Sequence, residues 1–145
     1  MPEKNIILNE TPKAPRTVEL AVLFTFLAIM TGMTEFILEL IGIGRRTIDM
    51  ENYELTAIIG FAINFLFMIL FLKKQNWARI VFAVLFFLGL LALVPIVKQE
   101  LQNDIIGATS SILQTVFELT AIMLLFSKNS NPWFKKDKTV KQKEE

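Results

Sequence analysis

Three glutamates, Glu35, Glu39 and Glu118, stand inside stretches that are otherwise almost wholly apolar. A carboxyl group in such surroundings can exchange a proton, bind a cation or hydrogen-bond a polar neighbour. It needs some such partner, because a charge at the centre of a membrane helix costs about 2.5–3.5 kcal/mol on insertion. Gln114 and Asn64 are polar residues at similar depth. Glu35, Glu118, Gln114, Asn64 and Glu39 are therefore the candidate intramembrane site for a proton or a cation. Little other chemistry is on offer. The chain has no histidine and no cysteine. Zinc–thiolate sites, iron–sulfur clusters and imidazole-ligated haem lack their ligands, and Cys–His and Ser–His–Asp catalysis lack theirs. No metal and no cofactor is expected, and the chain reads as a non-enzyme.

The elements that must carry these residues are long and apolar. Of 145 residues, 53% are hydrophobic and 20% charged, and mean hydropathy is +0.50. That composition excludes a disordered chain. The apolar residues fall in four blocks. Val18–Ile43 is interrupted by Glu19, Glu35 and Glu39; Leu55–Leu72 and Ile80–Val97 are 18 residues each without a charge; Ile105–Phe126 is 22 residues with Glu118 alone. A bilayer core takes about 20 apolar residues per helix. Four such blocks leave too little chain to cover them as the core of a soluble domain. The expectation is an all-α integral membrane protein, an antiparallel four-helix bundle running up-down-up-down. Its spans lie at about 18–43, 55–72, 77–97 and 105–126, between an N-terminal arm, 1–17, and a basic tail, 127–145. The first block is too long for a signal peptide's apolar region, about 7–15 residues, and reads as a retained span.

Orientation follows from charge. The arm (Lys4, Lys13, Arg16), the second connection (Lys73, Lys74, Arg79) and the tail (Lys128, Lys135, Lys136, Lys138, Lys141, Lys143) carry twelve basic residues, while the opposite side carries three, Arg45, Arg46 and Lys98. This positive-inside bias predicts both termini in the cytoplasm. Trp77 and Trp133, with Lys135 and Lys136, are the expected anchors at the inner interface, and Tyr53 sits at the outer one. The basic residues are accounted for by topology, so the lipid bilayer is the expected contact and nucleic acid is not.

Helix contacts in lipid use small residues and interhelical hydrogen bonds. On the first span, Ala21, Thr25, Ala28, Thr31, Gly32, Glu35, Glu39 and Gly42 share a face. On the fourth, Gly107, Ser110, Ser111, Gln114, Glu118 and Ala121 fall within about 100° of arc. Ala28, Gly32, Gly107 and Ser111 are the expected packing positions. The second span has a thinner stripe of Ala57, Gly60 and Asn64. The third has none, and Phe82, Leu85, Phe86, Phe87, Leu90 and Leu91 read as lipid-facing or filler. Spans one and four should build the interior, with span two closing it. Pro95 should loosen the last turn of span three. By depth, Glu118 lies within about one turn of the bilayer middle, Glu35 about a turn and a half outward, and Glu39 at the outer interface, near Arg45 and Arg46.

The stretches Arg16-Thr-Val-Glu-Leu-Ala, Asn76-Trp77-Ala78-Arg79-Ile80, Leu124-Leu125-Phe126 and Asn131-Pro132-Trp133-Phe134 resemble uncharacterised small bacterial four-span inner-membrane proteins. The likeness covers most of the chain past Arg16. It implies a multi-pass architecture in the bacterial inner membrane and supplies no catalytic residues. Small multidrug transporters are similar in having four spans and a glutamate in the first, and the likeness ends there.

Two functions compete. The leading expectation is a non-enzymatic membrane protein working through helix–helix or partner contacts, as an accessory subunit or as an assembly or envelope helper. The alternative is a proton- or cation-coupled small transporter or channel using the intramembrane glutamates, which would have to be an oligomer. A lipid-handling enzyme and a holin, toxin or immunity protein are minor readings.

Overall fold

The computed structural model describes residues 13–43 and 53–135. They form α1 Arg16–Leu40, α2 Tyr53–Leu72, α3 Asn76–Asn103, α4 Ile105–Leu125 and a single turn, α5, Asn131–Phe134. The first four are long and apolar enough to cross a membrane. Arg45, Arg46, Lys136, the side chain of Tyr53, the arm through Pro12 and the tail beyond Lys135 lie outside the described residues.

Helix boundaries have local causes. The Pro15 carbonyl accepts from Val18 N at 2.8 Å and Glu19 N at 3.1 Å, which starts α1 directly after a residue that cannot itself be helical interior. Beyond Leu40 the chain turns through Gly42, whose φ of +79° suits a residue without Cβ. Asp104 alone separates α3 from α4. Its extended backbone (φ −147°, ψ 91°) breaks the helix, and its carboxylate caps the next one by accepting from Ile106 N at 3.1 Å.

Helix α3 departs from expectation twice. It runs to Asn103, so the expected connection from Lys98 to Asp104 is helix up to its last residue. Pro95 stands inside the helix and does not end it. Proline removes the bond to the carbonyl four residues back, here Leu91, whose side chain lies on the outside of the bundle.

The four long helices pack as a ring. α1 against α4 is the most extensive contact, followed by α3 with α4, α1 with α2, and α2 with α3. Neighbours are antiparallel: Arg79, early in α3, reaches the end of α4, while Glu100, late in α3, meets Ser111 early in α4. Buried residues of α1 are Val18, Ala21, Thr25, Ala28 and Ile29, and those of α4 include Gly107, Ala108, Ala121 and Ile122. Small side chains at helical spacing let these two backbones approach closely.

The core sits at one end. Phe67, Phe71, Phe82, Phe86, Ile122, Leu125 and Phe134 form one cluster with Val18, Ala21 and Ala78. Phe82 packs its ring 5.3 Å from Phe67 and 5.4 Å from Phe71, in tilted and edge-on geometries. Phe82 and Phe86, expected outside, are buried. From Ile80 to Val97 the helix is apolar all round, so no polar face marks which side turns inward.

Residues after α4 clasp this end. Trp133 Nε1 donates to the Phe71 carbonyl at 3.1 Å, and the Lys74 ammonium lies 4.2 Å above the Trp133 ring. Ser130 Oγ lies 2.7 Å from Thr17 Oγ1 and 2.7 Å from the Leu124 carbonyl. Arg79 donates from Nη1 to the Leu125 carbonyl at 3.1 Å and to Asn131 Oδ1 at 2.8 Å, and from Nε to Asn76 Oδ1 at 2.8 Å. Its guanidinium also lies 5.0 Å from the Phe126 ring and 4.7 Å from Phe134. The ends of α1 to α4 are thus tied by the Asn131–Phe134 turn and Ser130. Trp133, expected as a simple interfacial anchor, is half-buried and hydrogen-bonded, while Trp77 and Lys135 are exposed.

Trp133→Phe keeps an aromatic ring but loses the N–H, and should lower stability by about 1 kcal/mol. Arg79→Ala removes the donor to a carbonyl and two amide oxygens, and should cost more, about 1.5–3 kcal/mol. Thermal unfolding in mild detergent measures both. Wild-type stability for Arg79→Ala would show that the clasp holds nothing.

Candidate functional site

A cavity of about 320 Å³ lies between α2, α3 and α4. Each helix lends it positions one turn apart. α2 contributes Gly60, Ile63, Asn64 and Phe67; α3 contributes Phe82, Leu85, Phe86, Gly89, Leu90 and Leu93; α4 contributes Ser111, Gln114, Thr115 and Glu118. The α4 quartet is spaced i, i+3, i+4, i+7, which puts all four on one helix face. The cavity therefore has one polar wall, α4 with Asn64, facing an aromatic and aliphatic wall.

The polar wall is internally bonded. Thr115 Oγ1 donates to the Ser111 carbonyl at 2.7 Å, and Ser111 Oγ donates to Glu100 Oε2 at 3.0 Å. Asn64 Nδ2 donates to the Gly60 carbonyl at 3.1 Å. Gln114 lies one turn from Glu118 on the same face of α4. Gln114 also wedges towards α1. A Cβ at Gly32 would stand 3.0 Å from Gln114 Oε1 and 3.2 Å from Phe61 Cε1. Glycine at position 32 thus makes room for the glutamine amide, which is why the two belong together.

A second polar group gathers at the end of the bundle opposite the clasp. The charged neighbours of Glu35 there are Glu100, Glu39 and Asp104. A Cβ built at Gly107 would stand 3.5 Å from Glu35 Oε1, an ordinary contact, which places the Glu35 carboxyl group beside the start of α4. Glu100 is 7% exposed and accepts from Ser111. Oε2 of Glu39 is buried and has no hydrogen-bond partner among the described residues. The expected pairing of Glu39 with Arg45 or Arg46 falls outside those residues. Among them, no group of carboxylates is arranged to hold a metal ion.

The five candidate residues thus divide. Glu118, Gln114 and Asn64 share the cavity, while Glu35 and Glu39 join the carboxylate cluster. Glu118 follows Gly107, the α4 neighbour of Glu35, by eleven residues, or about 16 Å along the helix. Ser111 is the link between the groups, since it lines the cavity and bonds Glu100. Of the expected packing positions, Ala28 and Gly107 are buried, and Gly32 and Ser111 face neighbours within the chain.

Glu100 and Thr115 escaped sequence reading. Glu100 was assigned to a loop. Yet it follows Phe82 by eighteen residues, which is five full helical turns, so once α3 continues past Pro95 it must share the buried Phe82 face. Thr115 was available from the Ser111–Gln114–Glu118 spacing. The aromatic wall had no signal of its own.

No protein-family model, no curated protein and no solved structure matches this chain.

Because the two polar groups are separated, Glu35→Gln and Glu118→Gln should act independently on stability. Their double-mutant coupling should stay within about 0.5 kcal/mol, whereas Glu100→Gln with Ser111→Ala, which are in contact, should couple by about 0.5–3 kcal/mol. A large Glu35–Glu118 coupling would mean a shared site.

Proposed function

We propose that this chain is a non-enzymatic multi-pass protein of the bacterial inner membrane, with both termini cytoplasmic, that works through contacts with a second copy or another membrane protein. It would serve as an accessory subunit or as an assembly or envelope helper. The observation that carries this reading is the state of two glycines. A methyl group built at Gly60 or Gly89 would meet nothing within 4 Å among the described residues. Glycine inside a helix costs about 1 kcal/mol relative to alanine, and no group among the described residues packs against these two, which line the cavity beside the α2–α3 seam. Gly32, by contrast, is closely filled from inside. In lipid, glycine on a helix surface lets another helix backbone come near. Gly60 and Gly89 flank the least extensive seam of the ring, α2 against α3, so the same region is short of partners and shaped to receive one.

The test is association in lipid nanodiscs or by cross-linking in membranes. Gly60→Leu and Gly89→Leu should each weaken association at least tenfold without lowering the melting temperature. Gly32→Leu should lower stability instead, by about 1–3 kcal/mol. Glu35→Gln with Glu118→Gln should leave association unchanged. Association indifferent to both surface glycines would remove the basis of this reading.

A second reading is favoured by one observation, the carboxyl group of Glu118 on the wall of a cavity. It is a proton- or cation-coupled small transporter or channel working as an oligomer. Purified protein in liposomes should then carry protons or an organic cation, and Glu118→Gln should stop the flux. Tight liposomes across several pH values would count against it.

A further inference from the structure

We infer that the cavity between α2, α3 and α4 is a binding site for a small organic ammonium ion with an apolar body, its N–H groups held by Glu118 and the oxygens beside it. The inference deepens the second reading by naming a ligand class, and it rests on that reading only for the cavity. Binding does not require movement across a membrane.

The argument begins with where the donors go. Ser111, Thr115 and Asn64 each direct a hydrogen to a protein oxygen: Oε2 of Glu100, the Ser111 carbonyl and the Gly60 carbonyl. What the Ser111 and Thr115 hydroxyls and the Glu118 carboxylate retain is lone pairs, since a hydroxyl accepts two bonds and a carboxylate about four, and the Asn64 and Gln114 amides add an acceptor oxygen each beside their remaining N–H groups. The wall is therefore rich in acceptors and carries one acid. A ligand that supplies several N–H donors and a positive charge matches it. An anion would meet the Glu118 carboxylate, and a purely apolar ligand would leave these oxygens without partners.

The opposite wall selects the rest of the molecule. Phe67, Phe82 and Phe86 are buried and face the cavity. Aromatic faces attract cations as well as apolar groups, so they suit both ends of a small aralkyl or alkyl ammonium. A volume of about 320 Å³ is at the low end of the range for organic ligands and far above the needs of a bare metal ion. No carboxylate group arranged for a metal occurs among the described residues.

Fluorine NMR on the full chain in zwitterionic nanodiscs tests this with three probes of similar body: 4-fluorophenethylammonium, its N-trimethylated counterpart and 4-fluorophenylacetate. The primary ammonium should bind saturably, the trimethylated ion at least tenfold more weakly, and the carboxylate not at all. Glu118→Gln should weaken the primary ammonium at least tenfold, and Asn64→Leu at least fivefold. Circular dichroism and size-exclusion profiles confirm that each variant is folded, and Asn64→Leu serves where Glu118→Gln does not fold. Absence of saturable binding, equal binding of the carboxylate or the trimethylated probe, or binding indifferent to the folded variant would overturn the assignment. Saturable binding with no flux in liposomes would uphold the site and defeat the transport reading. Proton flux without amine binding would do the reverse.

Discussion

The close approach of α1 and α4 is the constraint from which the remaining arrangement follows. Two helices come together along Ala21, Thr25, Ala28 and Gly32 on one side and Gly107, Ala108 and Ala121 on the other, and they make the most extensive contact in the bundle. The residues along this seam are small, so the two backbones come close. Small side chains supply dispersion contacts between backbones. Once α1 and α4 are paired, the polar positions on the same faces must turn towards the interior: Glu35 beside Gly107 and Gln114 beside Gly32. The bulkier α2 and α3 then pack against what is left. Their phenylalanines fill one end of the ring, and towards the middle their rings and aliphatic side chains stand off from α4 to leave the cavity.

Polar side chains in this bundle mostly satisfy their hydrogens without help from another helix. Thr25, Thr31, Thr34, Thr109, Thr115 and Thr120 all donate to the carbonyl four residues back, as does Asn64. Such bonds cost the helix little and hide the donor. Exceptions are therefore informative. Ser111 sends its hydrogen across to Glu100 on α3. Arg79 and Trp133 send theirs to the ends of α4 and α2. These bonds between helices occur at the two ends of the ring. Between them, small-residue and aromatic packing is what joins the helices among the described residues, and the oxygens there can still accept.

Helix number, approximate length and the inward faces of α1 and α4 were legible in the sequence, because small and polar residues recur there against a greasy background. α3 was not legible. Its sequence is apolar on all sides, so periodicity carries no information about which face is buried, and only contact with α2 and α4 decides it. Glu100 shows the same failure from another direction. A charged residue after Pro95 reads as loop, yet the helix tolerates that proline where the freed carbonyl lies on its outer side, and the next turns bring the carboxylate under α4. The clasp was legible as four motifs and not as one object. Asn76, Arg79, Leu125, Asn131 and Phe134 are scattered along the chain and meet only through folding.

The two ends of the bundle differ in kind, and this bears on where motion or binding can occur. At the clasp, a guanidinium, an indole and a serine tie backbone carbonyls of separate helices, and seven of the core's large side chains lie beneath them. At the other end, the packing of α1 and α3 against α4 brings carboxylates together, and a buried oxygen of Glu39 has no hydrogen-bond partner among the described residues. Hydrogen bonds to charged groups hold about twice as strongly as neutral ones, while like charges in a low dielectric repel unless a proton or cation intervenes. The clasped end is thus the one tied by hydrogen bonds between helices, while the opposite end gathers like charges. The cavity lies between, coupled to the carboxylate end through the single bond from Ser111 to Glu100.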